Sequence, residues 1–143
     1  MLVAAVIIIV SVVETPGSIA KKDFIKIGED EIPSVKFITG EERNVTGVST
    51  SNENGVIKKV ITYSGTGRNR EEMLRYAQAL YDYYGFWFYE TDENDFADAE
   101  GVDLKLAKAS VEADFIIIVR IDYDRNGYTI TLSRYRGSLT VID

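Results

Sequence analysis

The alternation of apolar and polar residues predicts strands in several parts of the chain. Residues 34–39, 45–50 and 56–64 alternate with a period close to two, and the turn sequences GEERN and SNENG separate them. Because three consecutive strands with short turns pair in sequence, this part predicts an antiparallel meander. Near the end of the chain, residues 113–124 and 126–134 are strand-like and joined by DRNG, the strongest hairpin signal in the sequence.

One segment has helical spacing. Between Gly65 and Gly85 the apolar residues recur every three or four positions, which predicts a helix over about residues 69–84. Asn69 is the expected N-cap, with Glu72 at the third helical position as in a capping box, and Gly85 is expected to end the helix. Residues 102–110 alternate well enough for a strand, with a short helix as the alternative.

After Gly85 the period changes from helical to two. Phe86 and Phe88 then point to one side of the predicted strand, and Trp87 and Tyr89 point to the other. Phe86 and Phe88 are expected in the core. Trp87 and Tyr89 either pack against a second face of the sheet, which is the favoured interpretation, or form an exposed contact surface.

The pattern as a whole predicts an α+β fold. An antiparallel sheet of about six strands is packed by one main helix in two layers.

The first twenty residues have a different character. Residues 2–13 are apolar apart from Ser11, and Ser18 and Ala20 are the small residues that a signal peptidase recognises. We predict that residues 1–20 are a cleaved signal or a membrane anchor and that residues 21–143 form a single domain, secreted or membrane-anchored outside the cytoplasm. The alternative is a buried central strand, since Val and Ile dominate the segment.

Composition excludes several classes of function. The chain has 143 residues and a net charge of -7, with no cysteine and no histidine. Nucleic acid is not an expected partner, because its phosphates would be repelled. The missing residue types exclude disulfides, thiolate nucleophiles and histidine-based catalytic triads. No cofactor is expected, with calcium as the only alternative.

The candidate calcium ligands lie in the predicted hairpin. Asp122, Asp124, Asn126 and Gly127 match positions 1, 3, 5 and 6 of a calcium loop, but Ser133 stands where the twelfth position needs Glu. Turn geometry alone explains the same residues and is the favoured interpretation. The acidic residues 90–103 are expected to form a solvated loop, with Phe96 packing on the domain.

The sequences DEIPSVKFITGEERNVTGVSTSNENG, YYGFWF and LAKASVEADFIIIVRIDYDRNGYTITLSRYRGSLT together resemble small bacterial domains that follow a single hydrophobic N-terminal segment. The resemblance implies export and carries no activity.

The expected function is therefore a non-enzymatic, extracytoplasmic binding or structural module acting on a protein or cell-envelope component. Trp87 and Tyr89 are its candidate contact residues. The alternatives are a calcium-dependent module using Asp122, Asp124 and Asn126, and a glycoside hydrolase that uses two carboxylates.

Overall fold

The computed structural model describes residues 14–89 and 104–140. The elements of this part of the chain are α1 (Pro16–Ala20), β1 (Phe24–Ile27), β2 (Asp30–Pro33), α2 (Val35–Thr39), β3 (Val45–Glu53), β4 (Val56–Ser64), α3 (Asn69–Tyr83), β5 (Trp87–Phe88), β6 (Leu104–Ala109), β7 (Phe115–Tyr123) and β8 (Gly127–Arg136).

Six of the strands form one antiparallel sheet in the order β3-β4-β8-β7-β6-β5, and β1 and β2 form a separate antiparallel pair. The helix α3 crosses the large sheet. The predicted α+β fold, with a six-stranded antiparallel sheet and one main helix, is therefore confirmed. The strand predicted within residues 102–110 is also confirmed, since β6 pairs with β7 along its whole length.

The core lies between α3 and the large sheet. Alternate residues of the strands point toward the helix, as the pleat of a sheet requires. The helix contributes Met73, Tyr76, Ala77 and Leu80, and the strands contribute Ile61, Leu104, Leu106, Ile117, Val119, Ile121, Ile130 and Leu132, all fully or almost fully buried. The buried hydroxyl of Tyr76 donates to the carbonyl of Pro33 at 2.6 Å, so it is satisfied.

The boundaries of α3 match the prediction at one end only. Gly85 follows the helix with φ of +77°, the left-handed conformation expected of a residue that ends a helix. The N-cap is Arg68 and not Asn69, and no side chain caps the helix there. Asn69 instead accepts from the backbone N–H of Thr66 at 2.9 Å and donates to the carbonyl of Asp124 at 2.8 Å, so it ties the helix start to the β7–β8 turn.

The prediction of a strand over residues 34–39 is wrong, because these residues form α2. Ser34 caps that helix by accepting from the backbone N–H of Phe37 at 3.1 Å, and Gly40 ends it with φ of +78°. A Ser and a Gly six positions apart specify one helical turn more strongly than the alternation specifies a strand. The meander prediction is correct for its last two strands, since β3 and β4 pair antiparallel, and wrong for its first strand, which is α2; the other neighbour of β4 is β8.

The segment that precedes β1 is part of the packed structure. Thr15 and Ser18 form a reciprocal capping box around α1, and Ile19 is only 1% exposed. The carboxylate of Glu14 lies 2.8 Å from the ammonium of the buried Lys59. The predicted division of the chain after Ala20 stays a prediction, and residues 2–13 lie outside the described residues. Within residues 14–89 and 104–140 there is no helix with the length and apolar character of a membrane span.

Candidate functional site

The two faces of the large sheet have different surroundings. The helix face points toward α3, and its core cluster includes residues from every described helix and from the β1–β2 pair, among them Ile19, Val35 and Ile25. The opposite face, which we call the open face, consists of the alternate residues of β3–β8 that point away from α3. Its apolar members Val60 and Ile118 lie outside the core cluster. Part of this face is itself buried, since Ala107, Thr131 and Ser133 are 2%, 9% and 4% exposed. Its exposed residues include Trp87, Tyr89 and Arg120, and these remain for contact with a ligand.

The β5 edge of the open face carries two exposed aromatic rings. Trp87 lies opposite Ala107, and the backbone N–H of Tyr89 donates to the carbonyl of Lys105 at 2.8 Å. The two side chains are 50% and 42% exposed, and the Tyr81 ring meets Trp87 edge-on at 6.1 Å. The favoured interpretation of Trp87 and Tyr89 as core residues is therefore wrong, whereas their use as a contact surface stays a prediction.

The predicted partition of the other two aromatic residues is confirmed. Phe86 is 1% exposed, and Phe88 is partly buried against the core cluster and stacked on Tyr81 at 5.3 Å. Gly85 and the change of period after it therefore separate inward from outward rings as the sequence indicates.

The middle of the open face is mixed in character. The strand register places Ala107, Ile118, Ser133 and Lys58 in one row across β6, β7, β8 and β4. The next row contains Lys105, Arg120, Thr131 and Val60. Ala107, Thr131 and Ser133 in these rows are buried, whereas Lys58 and Arg120 are exposed. The exposed middle of the open face therefore presents mainly polar groups.

A cavity of about 580 Å³ lies where the open face meets the β7–β8 turn. Polar side chains and three tyrosine rings share its lining. The lining includes Thr46, Thr62, Ser64, Asp122, Asp124, Asn126, Thr129, Tyr63, Tyr123 and Tyr128. Asp122 and Thr129 are opposite each other in the β7–β8 register, and Thr62 is opposite Thr129 in the β4–β8 register. These three therefore form one row of adjacent polar side chains.

The turn beside the cavity is held by its own side chains. Asp124 accepts from the backbone N–H groups of Asn126 and Gly127 at 2.7 and 3.1 Å, and the Asn126 carbonyl accepts from Gly65 at 2.9 Å. A Cβ on Gly127 would overlap the carbonyl oxygen of Tyr63, so only glycine allows the two chain segments to approach this closely. The predicted hairpin is confirmed.

The three candidate calcium ligands all line the cavity, but two of them have other partners. Asp124 is occupied by the turn, and the carboxylate of Asp122 lies 3.2 Å from the guanidinium of Arg120. In the described ranges no group of three or more acidic side chains is placed to hold a metal ion. The calcium alternative stays a prediction. The acidic residues 90–103, with Phe96, lie outside the described residues.

A polar cluster on the helix side of the cavity was not predicted. The carboxylate of Glu72 forms an ion pair with Arg43, lies 3.2 Å from the hydroxyl of Thr66, and is 3.5 Å from the hydroxyl of Tyr128. Tyr128 stacks on Tyr63 with ring centroids 4.8 Å apart. Burial raises the pKa of both phenols well above their usual value of 10.0. Their neutral form is therefore favoured. Tyr63 and Tyr128 are the two members of this cluster that line the cavity.

Comparison of the chain with protein-family models, with curated proteins and with solved structures finds no match.

Proposed function

We propose that this protein is a non-enzymatic binding module of the extracytoplasmic space that engages a protein or cell-envelope component through the open face of its sheet. One observation carries the proposal. Trp87 and Tyr89, two large aromatic side chains, stand side by side on the same face at 50% and 42% exposure. Exposed aromatic residues of this kind are enriched where proteins bind their partners.

The surroundings of the two rings support this role. The backbone of Tyr89 is fixed by its hydrogen bond to β6, and the ring of Trp87 lies against Tyr81. Because the contact with Tyr81 restricts the Trp87 ring, less conformational entropy is lost when a partner covers it. Ala107, which lies opposite Trp87, is 2% exposed, so the two rings themselves form the apolar contact surface at this edge.

The absence of histidine and cysteine from the sequence supports a non-enzymatic role. Without these residues the chain lacks the groups most used for nucleophilic and general-base catalysis near neutral pH.

The binding role is tested by co-sedimentation of the purified protein with a cell-envelope fraction. We expect the Trp87→Ser/Tyr89→Ser double variant to lose most of the wild-type binding. Tyr83→Ser is the matched control, because Tyr83 is an aromatic residue of α3 that is 80% exposed and lies away from the open face. Wild-type binding by the double variant would contradict the proposal.

The proposed location is tested by the intact mass of the native protein in soluble, secreted and membrane fractions. A secreted species that begins at Lys21 or a full-length species in the membrane fraction is expected. Full-length protein confined to the cytosol would contradict an extracytoplasmic role.

A calcium-dependent module is the second candidate, because Asp122, Asp124 and Asn126 all line one cavity. A specifically bound ion stabilises the folded state by mass action, so millimolar calcium should raise the melting temperature. An unchanged melting temperature would remove this candidate and leave the binding module unaffected.

A further inference from the structure

The cavity at the β7–β8 turn contains hydroxyl groups to which none of the described residues bonds. The hydroxyls of Thr62 and Thr129 line the cavity side by side on neighbouring strands, and neither bonds to a described residue. The oxygen of Ser64 accepts from the side chain of Asn44 at 3.3 Å. A hydroxyl both donates and accepts, so the two threonines can satisfy a ligand whose own groups do the same.

The charges around the cavity restrict its ligand further. Asp122 and Asp124 are part of the lining, and Arg120 lies 3.2 Å from Asp122 and offsets its charge. The carboxylate of Asp124 leaves the lining with a net negative charge, which disfavours phosphates and other anions. A wholly apolar ligand is also disfavoured, since it would leave the hydroxyls of Thr62 and Thr129 without partners. A neutral polyhydroxylated ligand meets both conditions.

The aromatic edge of the open face has complementary chemistry. Tyr89 is level with Arg120 of β7, two strands away, and Asp122 lies two residues further along β7. The Cα atoms of Tyr89 and Asp122 are therefore about 12 Å apart. The face of an aromatic ring carries partial negative charge and attracts polarised C–H groups. A sugar ring presents C–H groups on its faces and hydroxyls around its rim, so a chain of sugars suits both ends of this surface.

We propose that the open face binds a neutral saccharide chain, with its hydroxyls bonded by Thr62 and Thr129 and a ring stacked on Trp87 or Tyr89. This inference rests on the proposed function and names the ligand class of the same surface.

The test uses the fluorescence of Trp87, which is the only tryptophan of the chain. The probes are cellohexaose and N-acetylchitohexaose, titrated to millimolar concentration into the full-length protein. We expect a saturable change in emission with at least one of them, because a stacked sugar removes water from a half-exposed indole. An unchanged emission with both probes would overturn the saccharide assignment, and so would a change produced only by a single-stranded DNA oligonucleotide.

The cavity's part is tested by Thr62→Val/Thr129→Val, which removes the two hydroxyls with little change of shape. Loss of these hydrogen bonds should weaken the fluorescence-detected affinity about tenfold. Thr50→Val is the matched control, because Thr50 is an exposed threonine on β3 outside the cavity lining. Unchanged affinity in the double variant, with its fold verified by circular dichroism, would overturn the placement of the ligand in the cavity.

Failure of the saccharide assignment can be distinguished from failure of the proposed function. Envelope binding that depends on Trp87 and Tyr89 and survives periodate oxidation of the sugars would keep the function and refute the saccharide. Release of reducing ends from a bound oligosaccharide would keep the saccharide and refute the non-enzymatic role. Envelope binding unaffected by Trp87→Ser/Tyr89→Ser would refute both.

Discussion

The two faces of the large sheet are built from the same strands but are subject to different constraints. On β7, Ile117 points toward α3 and is 0% exposed, whereas its neighbour Ile118 points to the open face and lies outside the core cluster. The same contrast holds for polar groups, since the Arg43–Glu72 pair is largely buried and the Arg120–Asp122 pair is about half exposed. Packing determines which residues the helix face accepts, while the exposed part of the open face, with Trp87, Tyr89 and Arg120, can contact a partner.

The largest expected difference comes from truncating the two neighbouring isoleucines. Ile117→Ala should lower the free energy of unfolding by about 3 to 4 kcal/mol, because it leaves a cavity in a packed core. Ile118→Ala should cost only about 1 kcal/mol, since part of its surface is already hydrated. Urea unfolding of both variants measures the difference. Equal losses would show that something in solution packs the open face as tightly as the helix face.

A smaller effect is expected from the two ion pairs. Glu72→Gln should cost about 2 kcal/mol, because it leaves Arg43 and the hydroxyls of Thr66 and Tyr128 with a weaker partner in a mostly buried site. Asp122→Asn should cost about 0.5 kcal/mol or less, as is usual for exposed pairs. Thermal unfolding at two salt concentrations tests this. A similar cost for both substitutions would mean that Glu72 is hydrated.

The helix side should also make stability sensitive to alkaline pH. Burial raises the pKa of Tyr63, Tyr76 and Tyr128 above 10.0, so these phenols stay neutral in the folded state while those of the unfolded chain ionise. Their contribution is complete below pH 10 and is lost as the pH rises above it, by about 1.4 kcal/mol per pH unit for each group.

Denaturation followed between pH 8 and about 11.5 measures this slope. Tyr63→Phe, which removes one of the three groups, should make the slope less steep. A slope that is the same in the variant and in the wild type would contradict the burial of this phenol.

The smallest effect on stability is expected from the aromatic edge. Trp87→Ser/Tyr89→Ser should lower the free energy of unfolding by about 1 kcal/mol or less, because both rings are about half exposed at the end of a short edge strand. Chemical denaturation of this variant measures the change. A loss as large as that of Ile117→Ala would mean that the two rings serve the core.

Local patterns allowed much of the fold to be predicted. The helical spacing before Gly85 identified α3, and the Asp-Arg-Asn-Gly sequence identified the β7–β8 hairpin. The β1–β2 hairpin was missed although Ile25 and Ile27 alternate just before Gly28, because each of its strands has only four residues. Residues 34–39 were predicted as a strand and form α2. Alternation over six residues is a weaker signal for a strand than the Ser34 cap and the terminal Gly40 are for a helix.

The candidate site was harder to predict, since it depends on tertiary pairing. The alternation after Gly85 placed Trp87 and Tyr89 on one side of a strand, but only the folded chain shows that both rings are about half exposed there, with Tyr81 of α3 against Trp87. Arg43 and Glu72 are 29 positions apart, and no local pattern relates them. Thr62 of β4, Asp122 of β7 and Thr129 of β8 come together because β8 lies between β4 and β7 in the sheet. A pairing of strands so far apart in the sequence leaves no local pattern.

The central claim, that the open face is the binding surface, is tested most directly by acrylamide quenching of Trp87 in the presence of a cell-envelope fraction that binds the protein. The account predicts that binding protects this single indole, which is half exposed in the free protein, and that the quenching constant falls. Binding that leaves Trp87 as accessible to acrylamide as in the free protein would contradict the account and place the contact elsewhere on the molecule.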